Sequence, residues 1–100
     1  DGADIFSDGL AMVIKDDKCG FVDTTGKLVI PIQYDWANSF NDGLARVKRY
    51  GKWGYIDKTG KEVIALQYDE AMGFRDGLAK VVKDGEWFFI DKAGKRVEIK

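Results

Sequence analysis

The chain contains no histidine and a single cysteine, Cys19, in its 100 residues. That leaves too few ligands for a zinc site within one chain, which takes about four Cys, His or acidic groups. An internal disulfide is excluded, and one cysteine says nothing about the redox compartment. No apolar run approaches the roughly 18 residues that a membrane-spanning helix needs. Charge of one sign is also lacking: the formal net charge is −1, and Lys and Arg are spread along the whole chain. A nucleic-acid binder usually carries a basic face or stripe, so that class is not expected. Enzyme chemistry has little to draw on. Cys19 has no imidazole base, and Ser7 and Ser39 fall in loops without one. Only a carboxylate pair is left open, because Asp and Glu are plentiful. Hydrophobic residues at 45% and charged residues at 33% describe one globular domain spanning 1–100. The chain opens at Asp1 instead of Met, as expected of a processed or excised product whose targeting segment, if any, lies outside it.

What is present is a repeat. Phe6, Phe40 and Phe74 stand 34 residues apart, and each opens the same phrase: FSDGLAMV, FNDGLARV, FRDGLAKV. A fixed period marks units that bury apolar surface against their neighbours. The units run about 6–39, 40–73 and 74–100. A helical repeat of this period is rejected, because each unit carries at least three glycines that would break helices. The segments between them are short, alternating and rich in Val, Ile, Tyr, Phe and Trp, which reads as strands. Three strands per unit are expected, at 44–48, 52–57 and 61–67 in the middle one. Both connecting turns read as three-residue loops closed by a left-handed residue. Gly51, Gly60 and Gly94 supply that residue, and Asp17 stands in its place in the first unit. The register that follows pairs Val47 with Trp53, Ala45 with Tyr55, Tyr55 with Val63 and Trp53 with Ala65. These six residues would share one face. The other face mixes Leu44, Ile56, Ile64 and Leu66 with charges, so both faces are partly apolar, as stacked units require. About nine antiparallel strands result, in an open twisted or solenoid-like array. A closed three-fold barrel is the alternative. A propeller is disfavoured, since its blades typically number ~4–8 with four strands each.

The middle unit reads Gly51-Lys52-Trp53-Gly54-Tyr55-Ile56-Asp57-Lys58-Thr59-Gly60-Lys61, followed by Gln67-Tyr68-Asp69 and Phe74-x-Asp-Gly-Leu-Ala. This resembles the WG-repeat (WG-containing β repeat) family of bacterial proteins, from Phe6 to about Val97. The resemblance implies a β-rich repeat of mostly unassigned function, often in envelope or secreted proteins, and carries no catalytic residues with it. The Trp-Gly pair stands only at Trp53-Gly54; the first unit has Cys19-Gly20 and the third Trp87-Phe88. Cys19 removes a large anchor, so the first unit is expected to be the weakest. Glu98 and Lys100 replace the apolar Ile64 and Leu66, as a terminal unit would, which puts Lys100 near the end of the array.

Trp53, Trp87 and Tyr55 are the expected core anchors. Trp36 has no aromatic counterpart and lies between units. It reads first as folding back over the core, and otherwise as an exposed ring for a sugar or peptide. Tyr50 is a second candidate contact. Arg46, Lys48, Arg49 and Lys52 form a small basic patch on the middle hairpin, thinly extended by Lys15, Lys18, Lys80 and Lys83; it reads first as a solvated strand face, and otherwise as a site for a phosphate or an acidic partner. The recurring Asp8/Asp42/Asp76 and Asp23/Asp57/Asp91 read as turn chemistry, not as calcium ligands. The expected function is a non-enzymatic scaffold for a protein or peptide, with Trp36, Tyr50, Arg46 and Lys48 as its surface. The alternative is a carbohydrate or cell-wall binding module using the exposed aromatics. No cofactor is expected. Met12 and Ile14 fall on an outward face in this register, so self-association through the first unit is also expected.

Overall fold

The structure, a computed structural model, describes residues 9–38 and 40–97. Phe6, Ser7, Asp8, Ser39, Glu98 and Lys100 lie outside the described residues, and with them the expected polar cap of the third unit. Three antiparallel sheets follow one another along the chain. The first holds β1 (Leu10–Lys15), β2 (Lys18–Asp23) and β3 (Leu28–Tyr34), in the order β1-β2-β3. The second holds β4 (Trp36–Ala37), β5 (Ala45–Arg49), β6 (Lys52–Ile56) and β7 (Glu62–Tyr68), again in chain order. In the third, β8 (Glu70–Ala71), β9 (Leu78–Lys83), β10 (Glu86–Asp91) and β11 (Arg96–Val97) are ordered β11-β10-β9-β8. Among the described residues no sheet closes on itself, so the array they form is open. It measures 44 × 26 × 19 Å along its principal axes. The described residues thus form eleven strands where nine were expected. The two-residue β4 and β8 come from the connecting segments, which pair with the strand that follows: Trp36 opposite Lys48 and Glu70 opposite Val82.

The first hairpin of each unit corrects the expected register. Arg49 faces Lys52 and Lys48 faces Trp53, so the loop is the two residues Tyr50-Gly51. Both take positive φ, 56° and 79°. Asp16-Asp17 and Asp84-Gly85 do the same. This is a type I′ turn, whose twist matches the twist of the strands it joins. The left-handed conformation of Tyr50 costs ~1–2 kcal/mol, which is why the longer loop looked preferable. A distant group offsets that cost. The Tyr50 N–H donates to Asp35 Oδ2 at 3.1 Å, and the Asp84 N–H donates to Asp69 Oδ2 at 2.9 Å.

A one-residue slip moves every side chain of a strand to the other face. Arg46, Lys48, Trp53 and Tyr55 therefore share a face, and Ala45, Val47, Gly54 and Ile56 share the opposite one. The expected pairs Val47–Trp53 and Ala45–Tyr55 do not form. The second turn does take the expected form. Gly60 N–H bonds to the Asp57 carbonyl at 3.0 Å, Asp57 N–H to the Lys61 carbonyl at 2.9 Å, and Gly60 has φ of 90°. Asp57 Oδ1 accepts from Thr59 N at 2.9 Å and Lys61 N at 3.1 Å, so this aspartate works in the turn. Beyond the turn β7 bulges. Tyr55 meets Ile64 instead of Val63, and Trp53 meets Tyr68 instead of Ala65.

The slip decides where the cores lie. One core joins the first and second sheets, with Phe21, Ile30 and Tyr34 against Phe40, Val47 and Ile56. Another joins the second and third, with Tyr55, Ile64 and Tyr68 against Phe74, Val81 and Ile90. These are the same positions moved on by one repeat. The second sheet is thus buried on both faces, and each sheet serves as floor for the next. Edge-to-face ring pairs recur with the repeat: Phe21–Phe40 at 4.9 Å between centroids, and Tyr55–Phe74 at 4.8 Å.

Candidate functional site

The aspartate of each Gln-Tyr-Asp phrase latches one sheet to the next. Asp35 accepts from Lys18 of β2 and from the Tyr50 turn of the second sheet. Asp69 accepts from Lys52 and from the Asp84 turn of the third. Lys18, and then the Tyr50 N–H, hold the Asp35 carboxyl below its ordinary value; Lys52 and the Asp84 N–H do the same for Asp69. A carboxyl depressed in the folded state stabilises it above the unfolded value, about 3.9 for Asp, and that stability is lost as pH falls through the folded value. The melting temperature should therefore drop on acidification below about pH 4. An Asp35→Asn/Asp69→Asn variant should melt lower at neutral pH and show a shallower acid slope. Asp23, Asp57 and Glu86 are depressed as well and would keep part of that slope. Retention of the full slope by the double variant would mean that the latches do not couple folding to pH.

The expected anchors divide according to neighbours. Tyr55 is fully buried, and its hydroxyl donates to the Met72 carbonyl at 2.6 Å. Burial pushes its pKa upward. Trp53 is half-buried against the second core. Trp87 is 58% exposed, which corrects its reading as a core anchor. The position faces the following sheet, and among the described residues nothing follows the third. Cys19 occupies the same position in the first sheet, where it is buried against the second. There Met12 is buried and Ile14 packs on the same core, whereas their counterparts Arg46 and Lys48 stand over the Trp53 ring, 5.3 and 5.8 Å from its centroid. A small thiol leaves room for two apolar neighbours; an indole takes two cations instead. The outward apolar face expected at Met12 and Ile14 therefore does not exist, because the second sheet covers it.

Trp36 is exposed and does not fold back over the core; its Nε1 donates to Asn38 Oδ1 at 3.1 Å. Tyr50 is 89% exposed at the tip of its turn. The basic patch is split. Lys52 pairs with Asp69 and Arg49 with Glu62, which leaves Arg46 and Lys48 over Trp53. Two open clefts lie beside these cations. Asp35, Trp36, Lys48, Gly51 and Trp53 line the first, of about 630 Å³. Arg46, Glu70, Ala71, Met72, Lys80 and Val82 line the second, of about 470 Å³. Trp53 joins them, since Lys48 of one and Arg46 of the other both stand over its ring. The result is a strip running Trp36, Lys48, Trp53, Arg46, Met72, Lys80, with Lys80 continuing to Trp87 at 4.6 Å. Trp36, Arg46 and Lys48 were legible candidates. Met72 was missed, and Lys80 was passed over as a thin extension of the basic patch. The 34-residue spacing maps Lys80 onto Arg46 and was the available signal for it; nothing in the sequence marks Met72. No group of three or more metal-ligating side chains occurs among the described residues.

The WG containing repeat profile matches residues 20–53 and again residues 53–87. The chain belongs to the WG-repeat family. Each matched WG window spans two sheets and supplies most of one core. The first includes Phe21, Ile30, Tyr34, Phe40 and Val47; the second includes Tyr55, Ile64, Tyr68, Phe74 and Val81. A WG repeat is thus a unit of packing between sheets, and its glycine has a physical role. A Cβ on Gly54 would lie 2.7 Å from the Ile64 carbonyl oxygen and 2.8 Å from Leu66 Cα; one on Gly20 would meet Ile30 and Ile32 at 2.6 and 2.9 Å. Bulged β7 and β3 arch closely over these glycines. Among characterised proteins and solved structures, nothing matches the chain at a level that supports kinship.

Proposed function

We propose that this WG-repeat array is a non-enzymatic scaffold that binds a protein or peptide. The observation that carries this reading is the exposed strip from Trp36 to Lys80, in which aromatic and thioether side chains alternate with cations on a rigid stack of sheets. Exposed apolar groups clustered on a rigid surface suit binding better than solubility. Support for a non-catalytic role is chemical. The sequence has no histidine, Cys19 is buried in the core, and the Asp35 carboxylate beside the first cleft is engaged by Lys18 and Tyr50. A carbohydrate module is the second reading, favoured by two Trp side chains in one cleft. Panning a displayed random-peptide library on the folded chain tests both. Enrichment of peptides that a Trp36→Ala/Met72→Ala variant fails to retain is expected. A silent library, together with glycan-array binding lost in Trp36→Ala, would replace this proposal with the carbohydrate one.

A further inference from the structure

The charges along the strip specify a partner. Four ion pairs occur among the described residues: Lys18–Asp35, Arg49–Glu62, Lys52–Asp69 and Arg96–Glu86. Arg46, Lys48 and Lys80 belong to none of them. Each is held over an indole ring instead, Arg46 and Lys48 over Trp53 and Lys80 over Trp87. A cation stacked this way loses much of its rotamer freedom before a ligand arrives. Arg46 is held further, since its Nε donates to Asn38 Oδ1 and its Nη1 to the Ala71 carbonyl, so Nη2 is the donor it offers a ligand. Trp36, beside Lys48, and Met72, between Arg46 and Lys80, are 48% and 55% exposed. Cations at intervals with apolar side chains between them are complementary to carboxylates at intervals with apolar side chains between them.

Two observations separate this from other ligands. Sugar rings stack on flat aromatic faces, and cations already stand over Trp53 and Trp87, which leaves a sugar the Trp36 ring alone among the indoles of the strip. An added β-strand would need free backbone groups on the edge strand β8. The Ala71 carbonyl there accepts from Arg46, and the Met72 carbonyl next to it accepts from Tyr55. Recognition at β8 is therefore left to side chains.

We propose that the strip docks an acidic, extended peptide, with its carboxylates on Lys48, Arg46 and Lys80 and its apolar side chains on Trp36 and Met72. The inference rests on the scaffold reading above and adds the chemistry of the partner. Glu70, which lines the second cleft, opposes such a ligand and gives the test a second sign.

Fluorescence anisotropy with a short labelled peptide of Glu, Leu and Gly measures it, beside an analogue with Gln for Glu. The Glu peptide should bind more tightly than the Gln analogue by roughly tenfold, and added salt should weaken it. Lys48→Gln/Lys80→Gln should weaken binding by a similar factor, and Glu70→Gln should tighten it. Lys58→Gln/Lys92→Gln, on the second turns away from the strip, should leave it unchanged. Circular dichroism melting confirms that each variant is folded. Equal loss in both lysine pairs would overturn the proposal, since charge alone would then explain binding. Equal affinity for the Glu and Gln peptides, lost in Trp36→Ala/Met72→Ala, would overturn the acidic partner and leave the scaffold reading standing. Binding of neither peptide, with tight binding of an acidic oligosaccharide, would overturn both.

Discussion

Alanine at position 54 should lower the stability of the fold sharply. The added methyl would sit 2.7 and 2.8 Å from backbone atoms of Ile64 and Leu66, and backbone cannot turn aside as a flexible side chain can. Overpacking typically costs ~1–3 kcal/mol and sometimes more, and a clash with two backbone atoms belongs at the top of that range. Against a domain stability of roughly 5–15 kcal/mol, this is a large fraction. Gly51→Ala is the control. Its Cβ would meet nothing within 4 Å, so only the positive φ of 79° opposes it, at ~1–2 kcal/mol. Urea unfolding of both variants decides the matter. If Gly54→Ala were no worse than Gly51→Ala, the close passage of β7 over β6 would be wrong. In the third unit Phe88 stands at this position, and its ring packs edge-on to Tyr68 at 6.3 Å.

Tyr55→Ala should cost ~3–5 kcal/mol, as large aromatic truncations in cores do. The side chain is fully buried, packs edge-to-face on Phe74, and bonds the carbonyl of Met72 in the connection to the third sheet. Tyr55→Phe should lose only ~1 kcal/mol, the net worth of that hydrogen bond. Trp87→Ala should stay within about 0.5 kcal/mol of the parent, because an exposed ring away from a packed core contributes little. A Trp87→Ala loss equal to that of Tyr55→Ala would show that something covers Trp87 in solution. Hydrogen exchange adds a spatial check. In Tyr55→Ala, amides of β9 and β10 should lose more protection than those of β1 and β2, because the second core is the one opened.

The two hairpin turns of a unit show how legibility depends on range. The Asp57-Lys58-Thr59-Gly60 turn could be read directly. Its aspartate bonds groups two and four residues away, and its glycine supplies the left-handed φ, so every determinant lies within the turn. Tyr50-Gly51 misled for the opposite reason. Locally, a tyrosine at positive φ looks unfavourable. What supports it is Asp35, fifteen residues earlier, together with the twist of strands already paired. From that single register followed the misplacement of Met12 and Ile14 and the wrong company for Trp53. Trp87 failed differently: the same letter in the same repeat position is half-buried in one sheet and exposed in the next. Trp36 was found because it interrupts the repeat, and Lys48 because it stands in a run of cations on the middle hairpin. Met72 became part of the strip only when β8 came to lie over β6.

The sequence alone determined the period, the strand class, the second, glycine-closed turn of each unit and the family. Each of these depends on residue type and spacing within a few positions, where sterics and turn chemistry act. Tertiary structure decided the register of the first hairpins, which face of each sheet meets its neighbour, and which aromatic rings stay in water. Those outcomes depend on the contact between successive sheets. A one-residue shift there exchanges core for surface along a whole strand without changing any local preference.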